Sequence, residues 1–289
     1  MNNISRDISD RTDPDSISVL GNITEVAREL GIPFFVLGAF ARDVIFEHIH
    51  DIPTARATKD IDIGVEVARW EDFDRLTNTL VARGHLMATQ QPHRFESSSS
   101  STPVDIVPYG AISDDTMYIS WPPNHERVMS MLGFEEAYRS AITVRLSKEP
   151  SLEVLVPSMA ALTLLKIISW DDAYPRRSRD AEDLFFMLQN CGKAKFMEIY
   201  ESHEQLLEQE GYDPDLAAIR LLGQEIAQLG CMGTQQALQN ILVRESDENG
   251  ELKLLRDMNK ETSMRNSRFE HALRQLKKLL QGMQDENAA

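Results

Sequence analysis

The segment Asp60-Ile-Asp-Ile-Gly-Val-Glu-Val67 constrains this chain more than any other. Its apolar and polar residues alternate strictly, which is the period of a half-buried strand. Ile61, Ile63, Val65 and Val67 share one face, and Asp60, Asp62 and Glu66 share the other. Carboxylates at i and i+2 of a strand have Cα atoms about 6.5–7 Å apart, so inward-leaning side chains can bridge divalent cations. Paired ions about 3.5–4 Å apart clamp an in-line phosphoryl displacement. Mg²⁺ suits such a site, because it takes a few carboxylates together with substrate phosphates. Without a cation the two carboxylates repel each other. Alone, an Asp-x-Asp pair equally suits the wet face of an edge strand, so its context decides.

Upstream, Pro33-Phe-Phe-Val-Leu37 is a short apolar run that reads as a buried strand. It passes through Gly38-Ala-Phe-Ala-Arg-Asp43 directly into a helical pattern that continues to about His50. A glycine at such a turn lets phosphates approach the backbone, and a helix start offers N–H donors. Downstream, Pro103-Val-Asp-Ile-Val-Pro108 brings a third acid, Asp105, on another strand. A third carboxylate beside a metal pair can take the proton of an attacking hydroxyl.

The pattern of elements predicts an α+β fold over the 289 residues: a loose tail at 1–15, a domain of small mixed sheet and flanking helices at 16–156, and a helical domain at 157–289. In the first domain, helices are expected after Ser16, ending at Gly31, and from Trp70 to Gly84. Strands are expected at 93–96, 104–109, 141–146 and 152–156, with Ser97–Ser101 as a solvated loop. In the second, Ser158 caps a helix carrying Leu162, Leu165 and Ile168. A helix from Arg179 to Cys191 stops at Gly192, and helical blocks follow at about 194–209, 214–229, 233–244 and 266–282. The charged stretch Ser246–Ser263 reads as a loop.

A net charge of -16 argues against generic DNA binding, which needs a basic surface, and against an anionic membrane surface. No stretch reaches the roughly 18 apolar residues of a membrane span. The N-terminus is polar and acidic, without the apolar core of a signal peptide, so a cytoplasmic protein is expected. Cys191 and Cys231 show no metal-ligand spacing and read as buried, reduced thiols. His48-x-His50-Asp51 has poor spacing for a metal site and reads as a surface loop. His93-Arg94 lies on the strand before Asp105 and is placed to line a pocket, while Trp121 packs as lid or core.

Lys166 interrupts the apolar run Leu164-Leu-Lys-Ile-Ile168, so it either snorkels or points into a site. Asp180 is suited to orient it or offset its charge, and Asp183 suits the first turn of a helix through the dipole. Arg176, Arg177 and Arg179 form the densest basic cluster nearby, suited to triphosphate or RNA and equally to a solvated turn.

The order of strand, glycine turn, helix, [Asp/Glu]-h-[Asp/Glu]-h and later acidic strand resembles the DNA polymerase β nucleotidyltransferase superfamily. Gly38 matches the first glycine of its Gly-[Gly/Ser] turn; Ala39 departs from the second, and cannot give a hydroxyl to a phosphate. Arg42-Asp43 resembles the run Gly-Gly-x-x-Arg-Asp of poly(A) polymerases and CCA-adding enzymes, although a local helix-surface pair explains it equally. A closer resemblance is to the bacterial AbiEii/AbiGii nucleotidyltransferase toxins. Leu164–Trp170 followed by Arg176-Arg-Ser-Arg-Asp-Ala-Glu-Asp-Leu184 looks like their second-domain signature, and the resemblance covers about residues 30–190.

The resemblance implies transfer of a nucleoside monophosphate from an NTP to an RNA (tRNA) or protein acceptor, with a toxin or defence role and a cognate antitoxin as partner. It implies Mg²⁺, or Mn²⁺ in its place, held by Asp60, Asp62 and Asp105, with Asp105 alternatively the base. Lys166 is then catalytic, and Gly38, Ala39, Arg42, Arg179 and Asp180 bind the nucleotide. The competing expectation is a catalytically idle fold used as a nucleotide- or protein-binding regulatory module. It draws on Ala39 and on the long gap, residues 39–59, between Gly38 and Asp60.

Overall fold

The computed structural model describes residues 6–54, 60–126, 128–259 and 265–287. The chain divides into two compact units, Met1–Ser158 and Met159–Ala289. The first is mixed α and β and the second is helical, the α+β class expected from the sequence.

The first unit begins with β1 (Arg6–Asp7), α1 (Pro14–Leu30), β2 (Phe34–Leu37) and α2 (Gly38–Asp43), which widens into a π-helical turn at Val44–Ile49. There follow β3 (Ile61–Glu66), α3 (Trp70–Ala82), β4 (Leu86–Ala88), β5 (Arg94–Ser97), β6 (Pro103–Tyr109), β7 (Tyr118–Ser120) and β8 (Val128–Ser130). It closes with α4 (Phe134–Arg139), β9 (Ile142–Lys148) and β10 (Ser151–Val156). Five strands form the main sheet in the order β2-β3-β6-β5-β4, in which β3 and β6 are parallel and the other pairs antiparallel. A three-stranded sheet has the order β1-β9-β10, and β7 and β8 form a hairpin.

The polar composition of residues 1–15 predicts a loose tail, yet local bonds tie down its described part. Arg6 and Asp7 pair in parallel with Val144 and Arg145 of β9. Asp13 caps α1 by accepting from the Ser16 N–H at 2.9 Å, with Pro14 in the first turn. Both are compatible with a polar sequence: an edge strand needs backbone pairing only, and a cap needs one carboxylate. Val19, Leu20, Ile23, Val26 and Ala27 make the buried stripe of α1, which packs on α3.

The alternation of β3 decides what covers each face of the main sheet. Ile61, Ile63 and Val65 are buried on one side. On the other, Gly64 stands opposite Phe35, and a Cβ there would lie 2.6 Å from the Phe35 ring. The missing side chain admits a cluster of Phe35, Tyr109, Phe134 and Tyr138 with ring centroids 5.4–6.3 Å apart. One end of that face is thus sealed by aromatic packing, and Asp62 and Asp105 stand at the other. The serine turn is more ordered than a solvated loop. Ser97 is buried, the Ser101 N–H donates to the Ser97 carbonyl, and the Ser100 and Thr102 hydroxyls lie 2.8 Å apart.

The second unit comprises α5 (Met159–Ala173), α6 (Ser178–Ala194), α7 (Phe196–Ser202), α8 (Glu204–Gln209), α9 (Pro214–Leu229), α10 (Met232–Ser246), α11 (Lys253–Met258) and α12 (Arg265–Asn287). Three expectations change here. Gly192 does not stop α6, which runs on to Ala194; a Cβ at 192 would lie 3.0 Å from Asp215 Cα, so the glycine serves close approach of α6 to α9. The stretch Ser246–Ser263 is not all loop, since it contains α11, whose Leu254, Leu255 and Met258 are buried. The Glu245 carboxylate accepts from the Leu254 N–H at 2.9 Å, and Trp170 Nε1 donates to Asp257 at 3.0 Å. A helix of six residues is too short to show periodicity, and these long-range bonds hold it. Residues 260–263 of that stretch lie outside the described residues. Finally, Cys191 is buried as expected but Cys231 is exposed, at the start of α10. Among the described residues no helix is long and apolar enough to cross a membrane.

The helices α9 and α12 cross at glycine. A Cβ on Gly282 would overlap the Arg220 carbonyl, with its carbon 2.9 Å away, and a Cβ on Gly223 would lie 3.0 Å from Gly282 Cα. Around the crossing, the buried Glu210 takes Arg220 at 2.9 Å and Lys278 at 2.7 Å, and Arg220 also holds Asp285 at 2.6 Å. Because the neighbours of Gly282 are backbone and cannot rotate away, Gly282→Ala is expected to lower unfolding stability by about 2–3 kcal/mol. Gly21 of α1 has nothing within 4 Å of a built Cβ. Gly21→Ala is expected to gain about 0.5–1 kcal/mol. Urea denaturation of both variants checks the contrast in sign.

Candidate active site

The turn between β2 and α2 is built on Gly38, whose φ of 68° is left-handed. The residue is constrained twice, because a Cβ there would sit 2.7 Å from Asp62 Cγ and closer still to Oδ2. Register explains the approach: Leu37 at the end of β2 stands opposite Asp62 of β3. The Asp62 carboxylate therefore rests against the glycine turn. Ala39 follows in the first turn of α2, half-buried.

Asp62 and Asp105 are register partners on the parallel strands β3 and β6, so their side chains lie on the same face about 4.8 Å apart in strand spacing. Asp105 is in turn opposite Arg94 of β5. Arg94 Nη2 donates to Asp60 Oδ2 at 3.0 Å, and its Nε lies 3.3 Å from Asp105 Oδ1. One guanidinium thus spans two of the three predicted acids. Among the described residues, no three His, Cys, Asp or Glu side chains gather as a ready metal-binding group. The acidic face is organised through arginine and the glycine turn rather than as a closed triad of carboxylates.

Arg42 is buried, and it donates to Asp43 Oδ1 through Nε at 2.9 Å and Nη2 at 2.6 Å. The pair is local, as one reading of the sequence expected, but it lies in the interior and not on the helix surface. His48 and His50 sit in the π-helical turn and its end rather than in a loop. His93 is buried against Trp121, with ring centroids 5.4 Å apart, and Trp121 also packs on Trp70 and Phe73.

Lys166 belongs to the second unit and is buried in α5. Its ammonium donates to Asp180 Oδ1 at 2.8 Å and Asp183 Oδ2 at 2.6 Å, both on α6. The spacing i, i+3 puts the two acids on one helical face. Burial works against the charged lysine, but the two carboxylates outweigh it and hold the ammonium above the usual lysine range. Burial likewise works against ionised Asp180, and Lys166 and Arg177 outweigh that and hold its carboxyl below the usual range. Asp183 therefore does more than favour the helix dipole. Arg177 lies 3.5 Å from Asp180 and donates to the Ser169 hydroxyl at 2.6 Å, while Arg176 and Arg179 are exposed.

Two groups matter more in the structure than the sequence suggested. Arg94 was visible only as a neighbour of His93; counting the hairpin register back from Asp105 through the serine turn would have found it. Asp183 carried a signal in its spacing from Asp180.

A strand-end glycine turn is packed on a carboxylate, with a second carboxylate beside it in parallel register. The family model described as nucleotidyl transferase AbiEii toxin, type IV toxin–antitoxin system, matches residues 48–275. The chain belongs to this family and is a nucleotidyltransferase. The match runs through the rear helices, beyond the motifs legible by eye, and begins after Gly38, so the place of the glycine turn rests on its packing against Asp62. No curated protein matches the chain. Among solved structures, the antibiotic-resistance factor ANT(2'')-Ia is 14% identical, with 69% of this chain and 98% of that one covered and a TM-score of 0.35. A CCA-adding enzyme in an apo form is 15% identical over 93% of this chain and 72% of that one, with a TM-score of 0.32. The Thermotoga maritima CCA-adding enzyme complexed with tRNA is 14% identical over 98% and 85%, with a TM-score of 0.26.

The Lys166 cluster predicts a pH-dependent stability change. Asp180, with a depressed pKa, contributes stability above the usual aspartate range and loses it as pH falls through its folded value; Lys166, with a raised pKa, contributes at every pH below the lysine range. Lys166→Met strands two carboxylates in the interior and is expected to cost about 3–5 kcal/mol at neutral pH. The deficit should shrink toward pH 4, where the stranded acids take up protons. Urea denaturation at the two pH values measures it, and a pH-independent deficit would exclude the electrostatic account.

Proposed function

We propose that the protein is a Mg²⁺-dependent nucleotidyltransferase of the toxin type, moving a nucleoside monophosphate from an NTP to a hydroxyl of an RNA, such as tRNA, or of a protein. The observation that supports this reading best is the contact of the Gly38 turn with Asp62, beside Asp105 in register. The donor set suits a hard divalent cation, being carboxylate oxygens alone. Its fit is supported by Arg94, a cationic group already standing between Asp60 and Asp105. Asp60, Asp62 and Asp105 would hold Mg²⁺, with Mn²⁺ as a substitute. The bound ion supplies charge neutralisation on the transferring phosphoryl group.

This chain's own residues supply the rest. The backbone at Gly38 and Ala39 seats the phosphates. Where Asp105 serves as the base rather than as a ligand, it takes the proton of the attacking hydroxyl as the hydroxyl oxygen bonds to the α-phosphorus; the bond from that phosphorus to the bridging oxygen breaks, and pyrophosphate leaves. Arg42 and Asp43, buried together at the end of α2, brace the helix behind the turn. Asp180 orients the Lys166 ammonium, the cation proposed to neutralise developing charge, and Arg179 is an exposed cation suited to phosphate. A cognate antitoxin protein is the proposed partner, and the net charge of -16 points to a basic surface on it.

Labelling of cell extract with each α-labelled NTP tests this. The wild-type protein is expected to label RNA or protein in Mg²⁺ and not in EDTA. Asp62→Ala should abolish the signal, and so should Gly38→Ala, whose new Cβ displaces the Asp62 carboxylate. Nuclease and protease digestion of the product identifies the acceptor class. If no NTP labels any RNA, any protein or the enzyme itself, the chain is a binding module instead.

A further inference from the structure

We propose that Arg94 is an exchangeable internal counter-ion: its guanidinium occupies the cation position between Asp60 and Asp105, and it must swing out before a divalent metal can bind there. This rests on the metal-dependent reading above and adds a residue to it that the reaction does not itself require.

The geometry carries the assignment. Nη2 and Nε of the same guanidinium reach acids from two different segments, Asp60 Oδ2 at 3.0 Å and Asp105 Oδ1 at 3.3 Å. Asp62 lies alongside, opposite Asp105 in the ladder, and Asp60 precedes the strand. The backbone of residue 94 is fixed. Its carbonyl accepts from the Thr89 hydroxyl at 2.7 Å, the Ile106 N–H donates to the His93 carbonyl at 2.8 Å, and Phe95 is buried on the opposite face. The side chain is not fixed in the same way, being 33% exposed, and that of Asp60 is 47% exposed. Water is therefore available to solvate the guanidinium and Asp60 when they part, and a partly exposed pair is weak enough to be exchanged, while Asp105, 19% exposed, stays enclosed as the acid the incoming ion would neutralise. Asp60 precedes β3, outside the strand ladder.

Metal and arginine then compete for the same oxygens. The apparent affinity for metal is reduced by the fraction of molecules in which Arg94 holds the acids, and removing the arginine removes that reduction. Arg94 offsets part of the negative charge of the acidic face, and a metal ion binds there only when abundant enough to displace the side chain.

Mn²⁺ titration of the full chain, followed by the loss of the free-ion electron paramagnetic resonance signal, reads this directly and without activity. Arg94→Gln is expected to bind Mn²⁺ about fivefold more tightly than wild type. Arg94→Lys, whose single ammonium spans the two acids less well, should fall between them. Melting in EDTA gives a second readout: Arg94→Gln should melt below wild type without metal and gain more on adding Mn²⁺. Equal or weaker Mn²⁺ binding by Arg94→Gln, with wild type binding normally and Asp62→Asn not binding, overturns the counter-ion role and leaves the metal reading intact. Absence of Mn²⁺ binding by wild type as well would overturn both.

Discussion

Holding Asp62 and Asp105 side by side on one face of a sheet, with Asp60 just before the strand, costs electrostatic free energy, and the arrangement of this end of the sheet follows from managing that cost. The alternation of β3 forces its acids to one side, and the parallel register with β6 adds the third. Glycine and arginine each contribute to making this tolerable. Gly38 yields the space that Asp62 takes, and Arg94 supplies a positive charge to the other two. The aromatic cluster around Phe35 and Tyr109 seals the far end of the same face, so the polar groups are confined to one edge of an otherwise packed sheet. Gly64 is what allows that cluster, and the single segment 60–67 therefore specifies both the charged end and the apolar end.

Charge is also used inside the helical unit, for different ends. Glu210 gathers Arg220 and Lys278 where α9 and α12 cross, and Glu245 and Asp257 fix the short α11 through a backbone N–H and the Trp170 indole. Buried charges in such places contribute little net free energy over apolar packing, but each is costly to leave without its partner. They set which helix lies against which. The glycines at 223 and 282 bring the backbones close enough for the ion pairs to form, so the crossing depends on small residues and on charge together.

Much of the front of the molecule was legible because it rests on local rules. The period of two revealed β3, and the apolar run before Gly38 revealed β2. Asp105 followed from its own strand pattern. Features that rest on tertiary contacts were not legible. Gly192 looks like a stop signal and is a contact point, because the demand for it comes from Asp215 on another helix. The helix α11 has too few residues to show a period, and β1 has only two. Cys231 reads as apolar by residue type but falls at an exposed helix start. Arg94 pairs with Asp105 only once the register of a hairpin is known, and register depends on the turn between the strands.

The contrast between Arg94 and Lys166 shows what an ion pair contributes in each unit. Both are single cations shared by two aspartates, although Arg94 reaches Asp105 only as an ion pair at 3.3 Å. Coulomb attraction alone would treat them alike. Exposure separates them: the Lys166 side chain is 9% exposed, against 33% for Arg94. For Lys166, departure would leave an ammonium and two carboxylates to be solvated in the interior, so the cluster behaves as part of the core. For Arg94, water can replace the lost partner on the guanidinium and on Asp60, while Asp105 is the more enclosed of the two acids, so the pair with Asp60 is the weaker hold. Function that depends on exchange belongs with the second kind of pair. The acidic face of β3 and β6 has that kind, and it is there that a metal ion or a substrate phosphate can act by substitution rather than by breaking the fold.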